Sequence, residues 1–112
     1  MHELSIVSGM MDQIEKIKSE QSWKAVTRVQ MVLGVLSGVE RHAIEACFEL
    51  LTNEWKFKPL LDIVIDPIEF HCSQCDKVTL LKNVELVCSQ CKSIEGQMQG
   101  GRSLYFSEME GE

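Results

Sequence analysis

Cys72-Ser73-Gln74-Cys75 is followed, after twelve residues, by Cys88-Ser89-Gln90-Cys91. Two C-x-x-C pairs at this separation can bring four thiolates onto one tetrahedral ion. Each pair closes a tight turn whose two sulfurs grip one side of the metal. The residues between need only run out and return. This is the spacing of a structural zinc ribbon, and zinc is the expected metal. Two disulfides or four unligated thiols are the plainer alternatives. The repeated CSQC tetrapeptide makes both less economical.

Outward from this lobe, the rest of the 112 residues must supply a small core. A chain of this length forms one domain, with room for one attached lobe. It is 45% hydrophobic and 25% charged, an ordinary globular balance. The core is small enough for a metal staple to matter. The net charge of -6 and the lack of a basic cluster argue against nucleic acid as the main partner. Cysteines number five, no secretory signal precedes them, and no apolar run approaches a membrane span. The expected compartment is the cytoplasm, where C-x-x-C pairs read as metal or redox sites.

Before the cysteines, Leu4, Val7, Met10, Met11, Ile14 and Ile17 recur at helical spacing, predicting an amphipathic helix over 4–20. Gly9 sits inside it with no reason visible in the sequence. Over 24–33, Ala25, Thr27, Val29, Met31 and Leu33 alternate with Val26, Arg28, Gln30 and Val32, which predicts a half-buried strand. Ser37 and Glu40 form S-x-x-E ahead of an apolar run, the pattern of a capping box opening a helix over 39–53. Its apolar face is Ala43, Ala46, Cys47, Leu50 and Leu51, extended by Ile44 and Phe48. Cys47 reads as a buried, inert thiol there. A second strand is expected over 60–70, weakened by Pro67, and a third over 104–109. Gly96 and Gly100-Gly101 read as a flexible return between them.

The predicted fold class is α+β. Two helices pack on a three-stranded mixed sheet, with a zinc-ribbon lobe inserted between the second and third strands. The division expected is residues 1–66 plus 102–112 as a base and 67–101 as the ribbon lobe.

A second site is expected at Met1-His2-Glu3. The bulk of His2 should protect Met1 from aminopeptidase removal. A terminal amine, the His2 amide and the His2 imidazole can then bind one ion through two fused chelate rings. A carboxylate from Glu3 or elsewhere can complete the set. Such nitrogen-rich, tetragonal sets suit nickel(II) and copper(II). Amide coordination needs loss of a proton, so binding should strengthen as pH rises. The plain alternative is an incidental histidine at a terminus, with Glu3 complementing a helix dipole.

With both sites in view, the chain resembles the HypA/HybF family of hydrogenase nickel-incorporation proteins. The resemblance rests on Met1-His2-Glu3-Leu4-Ser5-Ile6, on Gly34-Val35-Leu36-Ser37-Gly38-Val39-Glu40 and on Cys47-Phe48-Glu49-Leu50-Leu51. The two C-x-x-C pairs and Gly101-Arg102-Ser103-Leu104 complete it, in family order across nearly the whole chain. It implies a cytosolic nickel metallochaperone. Its Ni(II) ligands would be the Met1 amine, His2, Glu3 and the acidic position Glu40. Zn(II) would be held by Cys72, Cys75, Cys88 and Cys91. The implied partners are a nickel-binding maturation GTPase and the large subunit of a nickel-iron hydrogenase, with a urease accessory protein for members that also serve urease. Many members carry glycine after a cysteine pair and proline inside the second. Here Asp76 and Lys92 follow the pairs, and Ser89 replaces the proline. The segment 52–60 also lacks the glycines common there.

Glu40 keeps two readings, a helix cap and a nickel ligand. His71 can swap in as a zinc ligand or simply be solvated, and His42 can support Glu40 or face solvent. No constellation of nucleophile and base, and no phosphate loop, points to an enzyme. A rubredoxin-like iron carrier leaves the N-terminus and helices unexplained. The competing function is a zinc-ribbon protein-protein adaptor without nickel transfer.

Overall fold

The computed structural model describes residues 2–112. Its elements are α1 (Glu3–Glu20), β1 (Val26–Gly34), α2 (Arg41–Thr52), β2 (Leu60–Asp66), β3 (Ile68–Cys72), β4 (Val78–Leu81), β5 (Gly96–Gly100) and β6 (Leu104–Gly111). Two three-stranded sheets form, ordered β2-β1-β6 and β4-β3-β5. The expected helices and base sheet are therefore present, and the ribbon is a sheet of its own. The chain divides into two compact units, 1–31 with 39–64 and 105–112, and 32–38 with 65–104.

In the first unit α1 packs against α2. From α1 the core takes Val7, Met10 and Ile14, all fully buried, which is one stripe at helical spacing. Leu4 does not join it and is 51% exposed. That rung of the stripe belongs to Glu3, whose burial has a polar cause given below. On β1, Val29 and Met31 are buried as the alternation predicts. Arg28, on the other face, meets Asp62 at 2.9 Å and Glu108 at 3.0 Å. Gln30 and Arg28 both donate to Asp62, and together they hold its carboxyl below the usual carboxylate range.

The direction of the strands follows from their contacts. Residues 24 and 25 of the chain meet Glu112, whereas Gly34 meets Ser103, so β6 runs antiparallel to β1. Arg28 meets Asp62 and Val35 meets Asp66, so β2 runs parallel to β1, with α2 as the crossover.

The second helix starts later than the sequence pattern suggests. Ser37 is still inside a turn, its amide donating to Gly34 O at 3.1 Å. The cap is Glu40 itself, in extended conformation, its Oε2 accepting from the amide of Ala43 at 2.9 Å. A glutamate can thus do the work expected of the Ser37 hydroxyl. The buried face is centred on Ile44, Phe48 and Thr52, with the Thr52 hydroxyl donating to Phe48 O. Ala46 and Leu50 face solvent, and Cys47 is half-buried rather than buried.

A methyl group added at Gly9 would meet no atom within 4 Å. Nothing near it requires glycine, so Gly9→Ala should gain about 1 kcal/mol from helix propensity alone. Urea unfolding followed by circular dichroism should show the higher midpoint.

In the second unit β3 is central. It pairs antiparallel with β4 (Phe70 with Thr79) and with β5 (Phe70 with Met98). The extended run expected over 60–70 is broken at Pro67, where the chain changes sheets. The flexible return expected at Gly96–Gly100 is a strand. A side chain at Gly96 would collide with the carbonyl of His71 and sit 2.9 Å from the Phe70 ring. Glycine there allows β5 to approach the face that carries the cysteines.

Candidate metal centres

The four paired cysteines converge within the second unit. Their sulfurs all lie within 4.8 Å of one another. Cys72 and Cys91 are 3.6 Å apart, and Cys75 and Cys88 are 3.5 Å apart. Four sulfurs about 2.3 Å from a tetrahedral ion lie about 3.8 Å from each other, so the group fits zinc.

Each pair sits on a turn of the same construction. In the first, the Asp76 amide donates to Cys72 O at 3.1 Å, and the Gln74 amide approaches Cys72 Sγ at 3.4 Å. The Cys72 amide donates to Lys77 O at 3.0 Å. In the second, Lys92 donates to Cys88 O at 3.0 Å, Gln90 approaches Cys88 Sγ at 3.4 Å, and Cys88 donates to Ser93 O at 2.9 Å. Amides aimed at sulfur favour the charged form. The Cys91 amide, and after it that of Gln90, brings the Cys88 thiol down to about 6 against the effect of burial. For Cys75 the Lys77 amide pulls the same way, but burial and the neighbouring sulfurs outweigh it and push the thiol up to about 12. Without a cation the sulfurs must share protons; a dication lets all four ionise together.

Asp76 and Lys92 close the two turns with φ of 62° and 65°. This left-handed conformation costs an L residue about 1–2 kcal/mol, and less for aspartate, whose side chain tolerates it. Lys92→Gly should therefore stabilise the zinc-loaded protein by about 1 kcal/mol, and Asp76→Gly by less. Thermal unfolding of the two variants side by side checks the order.

His71 does not join the sulfurs. It precedes Cys72 on β3, so its side chain leaves the opposite face of the sheet. There its Nε2 lies 3.7 Å from Glu69 Oε1.

The second candidate centre lies in the first unit. Met1 is outside the described residues. His2 is exposed and caps α1 through its backbone, accepting from the Ile6 amide at 3.0 Å, while its imidazole makes no capping bond. Glu3 follows in the first turn and is 8% exposed. Its Oε2 accepts from the backbone amide of Glu40 at 3.3 Å. The start of α1 thus adjoins the start of α2. The usual capping box has its reciprocal carboxylate three residues into the same helix. Here that position is Ala43, and Glu3 supplies the carboxylate from another helix. This explains why a glutamate occupies a core rung, and no local pattern announces it. Glu40 is exposed, and its Oε2 is engaged by Ala43. Oε1 is left without a hydrogen bond among the described residues. His42 faces solvent, its Nδ1 3.2 Å from Glu45 Oε1 rather than beside Glu40.

Two helix N-termini therefore meet at the Glu3 carboxylate, one residue after the exposed His2, but among the described residues only the four cysteines group as metal ligands; His2, Glu3 and Glu40 do not. The helix dipoles there oppose a cation and the carboxylate favours one. Among the described residues, no helix is long and apolar enough to cross a membrane.

The sequence and fold are similar to those of known proteins. Residues 1–111 match the family model described as "Hydrogenase/urease nickel incorporation, metallochaperone, hypA". The hydrogenase maturation factor HypA of Aquifex aeolicus is 32% identical over 111 residues, 98% of this chain and 96% of that protein. The corresponding factor of Syntrophus aciditrophicus is 33% identical over 102 residues, 90% of each chain. In three dimensions the chain is similar to the solution structure of the Ni metallochaperone HypA from Helicobacter pylori. The TM-score is 0.63 at 24% identity, covering 99% of this chain and 97% of that one, a likeness of fold.

Proposed function

Since the chain belongs to the HypA family, nickel metallochaperones of hydrogenase maturation, we propose that it takes Ni(II) as cargo at its N-terminal end and keeps Zn(II) in the ribbon. A metallochaperone carries its metal without turning over a substrate. The cargo ligands are the Met1 amine, the amide and imidazole of His2, and a carboxylate from Glu3 or Glu40. Zinc is held by Cys72, Cys75, Cys88 and Cys91, which lock the ribbon.

The observation that supports this cargo set is the 3.3 Å contact of the Glu40 amide with Glu3 Oε2. It ties the carboxylate of Glu3, the residue after the chelating His2, to the backbone of Glu40, 37 positions away in sequence. Glu40 can serve as cap and ligand together, because the cap uses one carboxylate oxygen and leaves the other. A four-thiolate site is closed and slow to exchange; an open set at two helix ends is suited to hand its ion on. The recipients are the nickel-binding GTPase of the pathway and the hydrogenase large subunit, with a urease accessory protein in cells that use urease. The setting is the cytoplasm, where the four ligand thiols stay reduced.

Nickel titration of untagged, zinc-loaded protein tests the cargo site. His2→Ala should lower nickel affinity at least tenfold while zinc content stays at one ion per chain. A residue inserted before His2 should do the same, because it separates the amine from the imidazole. An unchanged isotherm in both variants would leave the chain a zinc-ribbon adaptor.

A further inference from the structure

The distal end of α1 carries a feature that metal transport does not use. Ile14, Lys18, Val26 and Trp55 border a groove of about 260 Å³. Lys24, Lys56 and Phe57 line it too, and a second depression at Lys24, Phe57 and Glu112 adjoins it. The chain has an excess of acidic residues, 17 against 11 basic. Yet three lysines, Lys18, Lys24 and Lys56, gather at this one groove with Glu15 the single carboxylate among its lining residues. Among the described residues none of the three is ion-paired; the paired cations are Arg28, Arg41 and Lys58. Phe57 is 64% exposed, and the Lys56 ammonium lies 5.4 Å from the centre of its ring. These aromatic and basic residues belong to Trp55-Lys56-Phe57-Lys58, between α2 and β2.

We propose that this groove docks an acidic peptide segment of a partner protein, anchored by one aromatic or branched apolar side chain. Trp55 and the exposed ring of Phe57, above the buried Ile14 and Val26, receive the anchor, and the three ammoniums receive flanking carboxylates. Three lysines on a chain of net charge -6 are too few for a nucleic-acid surface, whose approach the remaining charge would oppose. The chain's own acidic terminus is already committed. Glu112 O accepts from the amides of Lys24 and Ala25, and its amide donates to Ala25 O. That makes it part of the wall rather than an occupant.

The groove lies at the opposite end of α1 from His2 and Glu3, about 22 Å away at 1.5 Å per residue. A partner held there leaves the cargo end open. The docking does not depend on where nickel binds, so the two readings fail separately.

The test uses the full zinc-loaded chain labelled with nitrogen-15. The probe is a synthetic peptide of aspartates and glutamates around one central phenylalanine. Saturable shifts are expected at Lys18, Lys24 and Phe57 and at the Trp55 indole. Their affinity should fall at least tenfold when Lys24→Glu and Lys56→Glu are combined, and also when serine replaces the peptide's phenylalanine. Binding should persist in His2→Ala. Spectra of the variants outside the groove report whether each still folds, and Phe57→Ser provides a second, uncharged lesion at the same place. The proposal is overturned by shifts elsewhere or none, by equal binding of the serine peptide, or by tighter binding of single-stranded oligothymidine.

Discussion

Chelation of zinc, or Cys88→Ser, should unfold the ribbon sheet and leave the two helices standing. The reason is the composition of the ribbon's interior. Its buried cluster is Phe70, Cys72 and Cys88, packed by Cys75, Leu81 and Leu86. Two of the three buried members belong to the four-cysteine group that fits zinc. The strands have four or five residues each, and every residue of β5 is exposed. Apolar burial on this scale cannot offset the entropy of ordering the segment. Structural zinc supplies on the order of 10 kcal/mol or more to small domains of this kind. The helices bury Val7, Met10, Ile14, Ile44 and Phe48, none of which depends on a ligand. Hydrogen exchange should show loss of protection at amides of β3 to β5, with α1 and α2 protected. Cys47→Ser is the control and should change little. Retained protection in the metal-free ribbon would show that its strands stand without the ion.

Gly34→Ala should destabilise the protein by about 3 kcal/mol or more, as overpacking against backbone does. Gly34 closes β1, and its amide donates to Ser103 O at 2.6 Å. A methyl group there would collide with Gly101 O and lie 2.6 Å from Gly101 C and 2.7 Å from Ser103 N. These are backbone atoms, so no side chain can rotate aside. The neighbouring bonds, Leu36 to Gly101 O and Val35 to Asp66 O, share the strain. Denaturant unfolding should place this variant far below the parent, opposite in sign to the same exchange at Gly9. A midpoint within about 0.5 kcal/mol of the parent would contradict the close approach.

These two glycines show what a one-dimensional reading can and cannot see. Both helices and β1 carry their own signal, since a buried stripe at period 3.6 or 2 is written locally, whereas β6 is found from its residue types although none of its residues is buried. The sulfur cluster is legible too, because its ligand spacing is a chemical pattern. The ribbon strands are so only in part: β3 alternates, with Ile68, Phe70 and Cys72 buried, and lies largely in the run expected over 60–70, whereas β5 is exposed throughout. Gly96-Gln97-Met98-Gln99-Gly100 has no apolar alternation to find. Glu3 and Leu4 exchange their expected places because the partner of Glu3 is an amide 37 positions away. The capping pattern at Ser37 and Glu40 marks the right helix but assigns the cap to the wrong member. Serine and glutamate both accept from a helix amide, and only the backbone path decides which of them reaches it.

The duplicated cysteine turns also bear on how the ribbon is assembled in time. Each is closed by bonds that span no more than five residues, from Cys72 to Lys77 and from Cys88 to Ser93. Loops this short close in well under a microsecond, ahead of any pairing between strands. An incoming ion can therefore meet a two-sulfur half before the lobe has folded, and the single slower event is the meeting of the halves. The time needed to build the lobe is then set by the docking of two preformed turns rather than by the closing of either.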